Sequence, residues 1–159
     1  MPIMMSLCCE VLSALKGKTL ATAESCTGGG IGAALTAVPG SSEVYKGGVI
    51  SYWSQIKSSL LGVPEDMLRQ YGAVSEPVAR AMAEGARRVL ETDVAVSVTG
   101  LAGPGGDEFG NPVGTVFLGY ADEKTSRVLA CTFSGNREEI RRQAVETALQ
   151  LILEENGKI

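Results

Sequence analysis

Two short apolar runs, KTLATAE at residues 18–24 and YKGGVISYW at 45–53, each lead into segments with helical patterning, and a third run, DVAVSVT at 93–99, follows those helices. Strands joined through helices of this length cannot fold back as hairpins. They run parallel in one sheet, and right-handed crossovers send the helices to both of its faces. The remaining segments fit around that constraint. SLCCEVLSALK, closed by Gly17, predicts a first helix over residues 3–16, and GGIGAALTAV predicts a small-residue helix ending at Pro39-Gly40. Ser54 reads as the N-cap of SQIKSSLLG, and Pro64 opens the helical piece VPEDMLRQYG. Ser75-Glu76-Pro77 starts a longer helix whose apolar face is Val78, Ala79, Met82, Ala86 and Val89. GTVFLGYA and SRVLACTF flank a polar turn at Asp122 to Thr125 as a hairpin, and NREEIRRQAVETALQLILEEN closes the chain as an amphipathic helix. The expected fold is α/β, a three-layer α/β/α sandwich with a mixed sheet of about five strands. With 159 residues and no linker, repeat or low-complexity segment, a single domain over 1–159 is expected.

Composition narrows the function. Hydrophobic residues at 45% and charged residues at 20% are too apolar a mixture for disorder. A net charge of -4, with never more than two adjacent Lys or Arg, lacks the footprint of a nucleic-acid binder, and 5% aromatics lack a stacking platform. No apolar run approaches the ~20 residues that span a bilayer, and the N-terminus lacks the basic start of a signal peptide. The expectation is a cytoplasmic protein with neither nucleic acid nor membrane as partner. Cys8, Cys9, Cys26 and Cys131 have no metal-ligand spacing and read as reduced thiols. The chain has no histidine, which removes the commonest metal ligand and the usual general base. No metal and no cofactor are expected.

Parallel strands deliver their C-terminal ends to one edge, where open α/β sheets bind ligands. Strand one brings Glu24, Ser25, Cys26, Thr27, Gly28 and Gly29 there; strand two brings Tyr52 and, a helical turn later, Lys57; strand three brings Thr99 and the loop from Gly100 to Gly106. Neighbouring strands lie about 4.8 Å apart, so Ser25 and Lys57 come within reach if strands one and two pair. A serine hydroxyl needs a base, and without histidine a lysine with its pKa lowered by burial can supply one. The same residues admit plainer roles. Ser25 can be the N-cap of the glycine helix, Lys57 a solvated cation, and Tyr52 a half-buried strand residue. Gly28 to Gly30 either free backbone amides for an anion or let helix and sheet pack closely. Six glycines and two prolines in TGLAGPGGDEFGNPVG can shape donors around an anion or oxyanion.

Three rival patterns overlap this edge. Gly28, Gly30 and Ala33 match G-x-G-x-x-[GA], but strand two does not end in the acid that would hold a ribose, and no P-loop exists. Ser54 and Lys57 match the S-x-x-K of penicillin-recognising enzymes; the partner motifs S-D-N and K-T-G are absent, yet Ser54 competes with Ser25 for the same lysine. Cys26 competes as well, because a helix N-terminus lowers a thiol pKa.

TAESCTGG, SYWSQIKSSLLGV, GAVSEP, VTGLAGPGG, PVGTVFLG and FSGNREEIRRQAVETAL, in this order from about Lys18 to Leu149, resemble the C-terminal domain of the CinA family, known also as nicotinamide-nucleotide amidase. The resemblance is to the freestanding form, without the nucleotide-pyrophosphatase domain of longer members. It implies an α/β/α sandwich that hydrolyses nicotinamide mononucleotide to nicotinate mononucleotide and ammonia in pyridine nucleotide salvage, without a metal. By motif position it implies Ser25 as nucleophile, Lys57 as base and Tyr52 assisting. The substrate would be bordered by Glu24, Thr27, Gly28 and Gly29, and by Thr99, Gly100, Ala102, Gly103, Gly105 and Gly106. Arg137 and Arg141 match the R-x-x-x-R of the closing block, and Arg141 is the one expected at the phosphate. Trp53-Ser54 stands where the family pattern has Ser-Asn. A non-catalytic module that binds or senses a mononucleotide is the alternative from the same residues. A homo-oligomer is the macromolecular partner left open.

Overall fold

The computed structural model describes residues 2–157. In chain order its elements are α1 (Ile3–Ala14), β1 (Leu20–Glu24), α2 (Gly30–Thr36), β2 (Tyr45–Ile50), α3 (Ser54–Leu61), α4 (Glu65–Tyr71), α5 (Glu76–Leu90), β3 (Val94–Gly100), β4 (Thr115–Ala121), β5 (Ser126–Thr132) and α6 (Arg137–Asn156). The strands form one sheet in the order β2-β1-β3-β4-β5. β1 is parallel to both β2 and β3, and β4 and β5 complete the sheet as an antiparallel hairpin. β1 is buried along its whole length because it lies between two strands and two helical layers, which is why LATAE reads as a continuous run rather than an alternation.

The path from β1 to β2 and the path from β2 to β3 run in opposite directions across the sheet. Crossovers of one hand then place their helices on opposite faces. On one face, Ile31 and Leu35 of α2 pack with Val11 of α1 and Ile140 of α6 against Val96 and Val98. On the other, Leu61 of α3 and Val78 and Met82 of α5 pack against Ala21, Ala23 and Ala95. This is the three-layer sandwich with a mixed five-stranded sheet that the alternation of elements predicts.

Three local expectations differ from the structure. β2 ends at Ile50 instead of Trp53, because Ile50 pairs with Glu24, the last residue of β1, and no strand lies beside residues 51–53. Ser54 is the first residue of α3 and not its cap; Trp53 occupies the N-cap position, with no side-chain hydrogen bond. Val89 is 48% exposed, since α5 turns Ala79, Met82 and Ala86 to the sheet and leaves Val89 outside that contact.

α5 approaches its neighbours closely because its inner face is small. A Cβ on Gly85 would lie 2.0 Å from the Leu61 carbonyl oxygen at the end of α3. Alanine there gains about 1 kcal/mol of helix propensity but must push backbone away from backbone, and overpacking of this kind costs about 1–3 kcal/mol. Gly85→Ala should therefore destabilise the protein in urea unfolding. An unchanged midpoint would show that α3 and α5 can separate freely. Among the described residues, no helix is long and apolar enough to cross a membrane.

Candidate active site

Ser25 leaves the end of β1 in a tight turn. Its amide donates to Val98 O of β3 at 3.0 Å, its carbonyl accepts from Gly28 N at 3.0 Å, and Gly28 and Gly29 carry the chain onward with φ of 59° and 102°. Those positive angles suit glycine, which has no Cβ to clash. Glu24 fixes the turn from beneath. Its buried carboxylate accepts from Thr27 Oγ1 at 2.7 Å, Ile31 N at 2.8 Å and Gly32 N at 3.0 Å. The start of α2 is thus capped by an anion of the chain itself, and neither Ser25 nor an external phosphate holds that place. From α6, Arg141 donates to Cys26 O at 3.0 Å and Thr27 O at 3.1 Å, bracing the same turn.

Lys57 reaches this turn from α3. It is only 1% exposed, which rules out the solvated-cation reading. Its Nζ donates to Ser51 O at 2.7 Å and to Ser25 Oγ at 2.9 Å, with Tyr52 O further away at 3.5 Å. Burial lowers its pKa from 10.5 to about 8, and a smaller electrostatic contribution from nearby Cys26 opposes that fall. The two carbonyls can only accept, whereas the hydroxyl can also donate. Once neutral, Lys57 keeps its N–H groups on the carbonyls and offers its lone pair to the Ser25 hydroxyl.

This pair opens into a cavity of about 220 Å³ whose walls include Thr99, Gly100, Ala102, Gly103 and Gly105. The Leu101 amide is taken by Thr115 O, while the amides of Ala102 and Gly103 are not spent on any backbone carbonyl among the described residues. Thr99 directs its hydroxyl to Ala73 O at 2.8 Å, which fixes the opposite wall at Ala73 and Val74. Arg137 crosses the mouth, donating to Gly103 O at 2.6 Å and Tyr52 OH at 3.1 Å. A capping box between Asn136 and Glu139 starts α6 at this point and sets Arg137 in its first turn.

Of the residues expected at the substrate, Glu24, Thr27, Gly28 and Gly29 do not line the cavity; nor do Gly106 and Arg141. Tyr52 does line it, but is 56% exposed and gives its hydroxyl to the contact with Arg137. Ser54 is exposed and borders a separate groove with Arg69 and Phe109, so the S-x-x-K spacing does not bring it to Lys57. Cys26 lines the cavity, yet desolvation by burial raises its thiol to about 11, the reverse of the expected lowering. Sequence reasoning missed Ala73 and Val74, apolar residues that carry no chemical signal. It weighed Arg137 and Arg141 together; one helical turn apart, they share a face, and spacing alone could not tell which reaches the mouth. No cluster of three or more Cys, Asp or Glu with metal-site geometry occurs among the described residues.

Fold and site together define a three-layer α/β protein in which a strand-end serine meets a buried lysine from the next crossover. The chain belongs to the CinA C-terminal domain family, whose model matches residues 5–156. A CinA-like protein of Gemmatimonas aurantiaca is 50% identical over 136 residues, 86% of this chain and 32% of that protein. One from Thermotoga neapolitana is 45% identical over 144 residues, 89% of this chain and 35% of that protein. The chain thus spans about a third of the length of the curated relatives it matches. Among solved structures, a CinA superfamily protein of Klebsiella pneumoniae aligns with a TM-score of 0.93 at 34% identity, covering 96% of each chain. A competence/damage inducible protein of Agrobacterium tumefaciens aligns with a TM-score of 0.90 at 37% identity, covering 97% of this chain and 96% of that one.

Proposed function

We propose that the protein hydrolyses the carboxamide of nicotinamide mononucleotide, giving nicotinate mononucleotide and ammonia. The observation that carries this reading is the 2.9 Å contact between a buried lysine and a serine hydroxyl at the wall of a cavity. Neutral Lys57 takes the Ser25 proton as Oγ bonds to the carboxamide carbon, and the carbonyl oxygen becomes an oxyanion facing the free amides of Ala102 and Gly103. The Lys57 ammonium then gives its proton to the departing nitrogen; the C–N bond breaks and ammonia leaves. Water attacks the acyl ester, again losing a proton to Lys57, which returns it to Ser25 Oγ. Arg137, at the mouth, supplies the cation for the nucleotide phosphate.

The test is ammonia release from nicotinamide mononucleotide by the purified protein across pH. Because the base must be neutral, kcat/KM should rise about tenfold per pH unit below about 8 and level off above it. A flat profile between pH 6 and 9 would remove Lys57 as the titrating base. Tight nucleotide binding with no ammonia at any pH would select the non-catalytic binding module instead.

A further inference from the structure

Ser51 Oγ is the one buried side-chain polar atom without a hydrogen-bond partner among the described residues. Ser51 has no exposed surface, and an unsatisfied hydroxyl in such a place is costly; alanine would remove the cost. Its position gives it a use. The same residue supplies the carbonyl that Lys57 Nζ approaches most closely, at 2.7 Å, and its own amide is anchored to Glu24 O at 2.8 Å. The hydroxyl therefore hangs from a fixed backbone point beside the lysine, one χ1 rotation from a new direction.

Lys57 as an ammonium has three N–H groups to place. Ser51 O takes one and Ser25 Oγ a second, but Tyr52 O, at 3.5 Å, is too distant for a full-strength bond. When Ser25 Oγ becomes bonded to substrate carbon, it turns into a poor acceptor and a second place opens. We propose that the Ser51 hydroxyl is the alternate acceptor for Lys57 Nζ, a positioning residue that steadies the ammonium while Ser25 is committed to the substrate. The proposal rests on the amidase reading above. Other groups that face the lysine are engaged elsewhere or act weakly. Cys26, on the loop after β1, is the titratable neighbour that acts on the lysine, and the Tyr52 hydroxyl is held by Arg137.

The experiment compares wild type with Ser51→Ala and Ser51→Thr, following the Lys57 side chain by NMR titration and ammonia release by steady-state kinetics. Without the hydroxyl the ammonium loses an acceptor, so the Lys57 midpoint should fall by roughly one pH unit. In the same variant kcat should fall about tenfold with KM little changed, and Ser51→Thr should restore both. A Ser51→Ala protein with unchanged midpoint and kcat, altered only in thermal stability, would overturn the proposal. If the wild type itself releases no ammonia, the amidase reading fails, and the titration still decides the contact: a lowered midpoint sustains it and an unchanged one removes it.

Discussion

Ser25→Ala and Lys57→Met should each reduce ammonia release from nicotinamide mononucleotide by a factor on the order of 10³ or more, while Ser54→Ala stays within about twofold of wild type. The difference follows from where the two serines point. Ser25 Oγ is 2.9 Å from Lys57 Nζ, whereas Ser54, although only three residues from that lysine, is exposed on the outer side of α3. A nucleophile and its base act as one unit, so the double variant Ser25→Ala/Lys57→Met should be no worse than either single one. Multiplicative losses in the double variant would mean that the two residues serve separate steps. Activity that survives Ser25→Ala but not Ser54→Ala would move the chemistry to the S-x-x-K pair.

Lys57 should also leave a signature in stability that needs no substrate. Its folded-state pKa, about 8, lies below the 10.5 of an unperturbed lysine. The native state therefore binds fewer protons than the unfolded chain between those values, and stability rises with pH across that window. The shift of about 2.5 units corresponds to about 3 kcal/mol. Urea unfolding of wild type, measured against Lys57→Met from pH 7 to 10.5, should show wild type gaining about that much relative to the variant. Loss of the hydrogen bond to Ser51 O offsets the variant's stability by an amount that does not depend on pH, so the slope and not the level carries the test. Parallel curves would mean that Lys57 is solvated in the native state.

Much of the fold was legible in the sequence because its determinants are local. Strand–helix alternation fixes parallel pairing, and the polar turn before Ser126 fixes the hairpin, so the sheet followed from patterns a few residues long. Parallel pairing also places Ser25 and Lys57 at one edge of the sheet. What could not be read were choices between residues of equal local merit. Glu24, with its carboxylate turned beneath α2, and Arg141, bound to the carbonyls of Cys26 and Thr27, carry the same side chains they would need to touch a substrate. Only the direction of the side chain separates the roles, and for Arg141 that direction is set by contacts 115 residues away in sequence. Cys26 fails for a different reason: desolvation by burial raises its thiol and outweighs the lowering by Lys57 and Arg141.

The carboxylate of Glu24 carries a wider consequence. Enzymes that bind an anion at such a turn let the ligand complete the loop, so part of the binding energy goes into ordering it. Here the completing anion is covalently attached, present at an effective concentration no dissolved ligand matches. The Ser25 turn is finished when the chain folds, with its hydroxyl already 2.9 Å from Lys57 Nζ. On the proposed amidase reading, whatever affinity the substrate has would remain available for the reacting bond rather than for shaping the site.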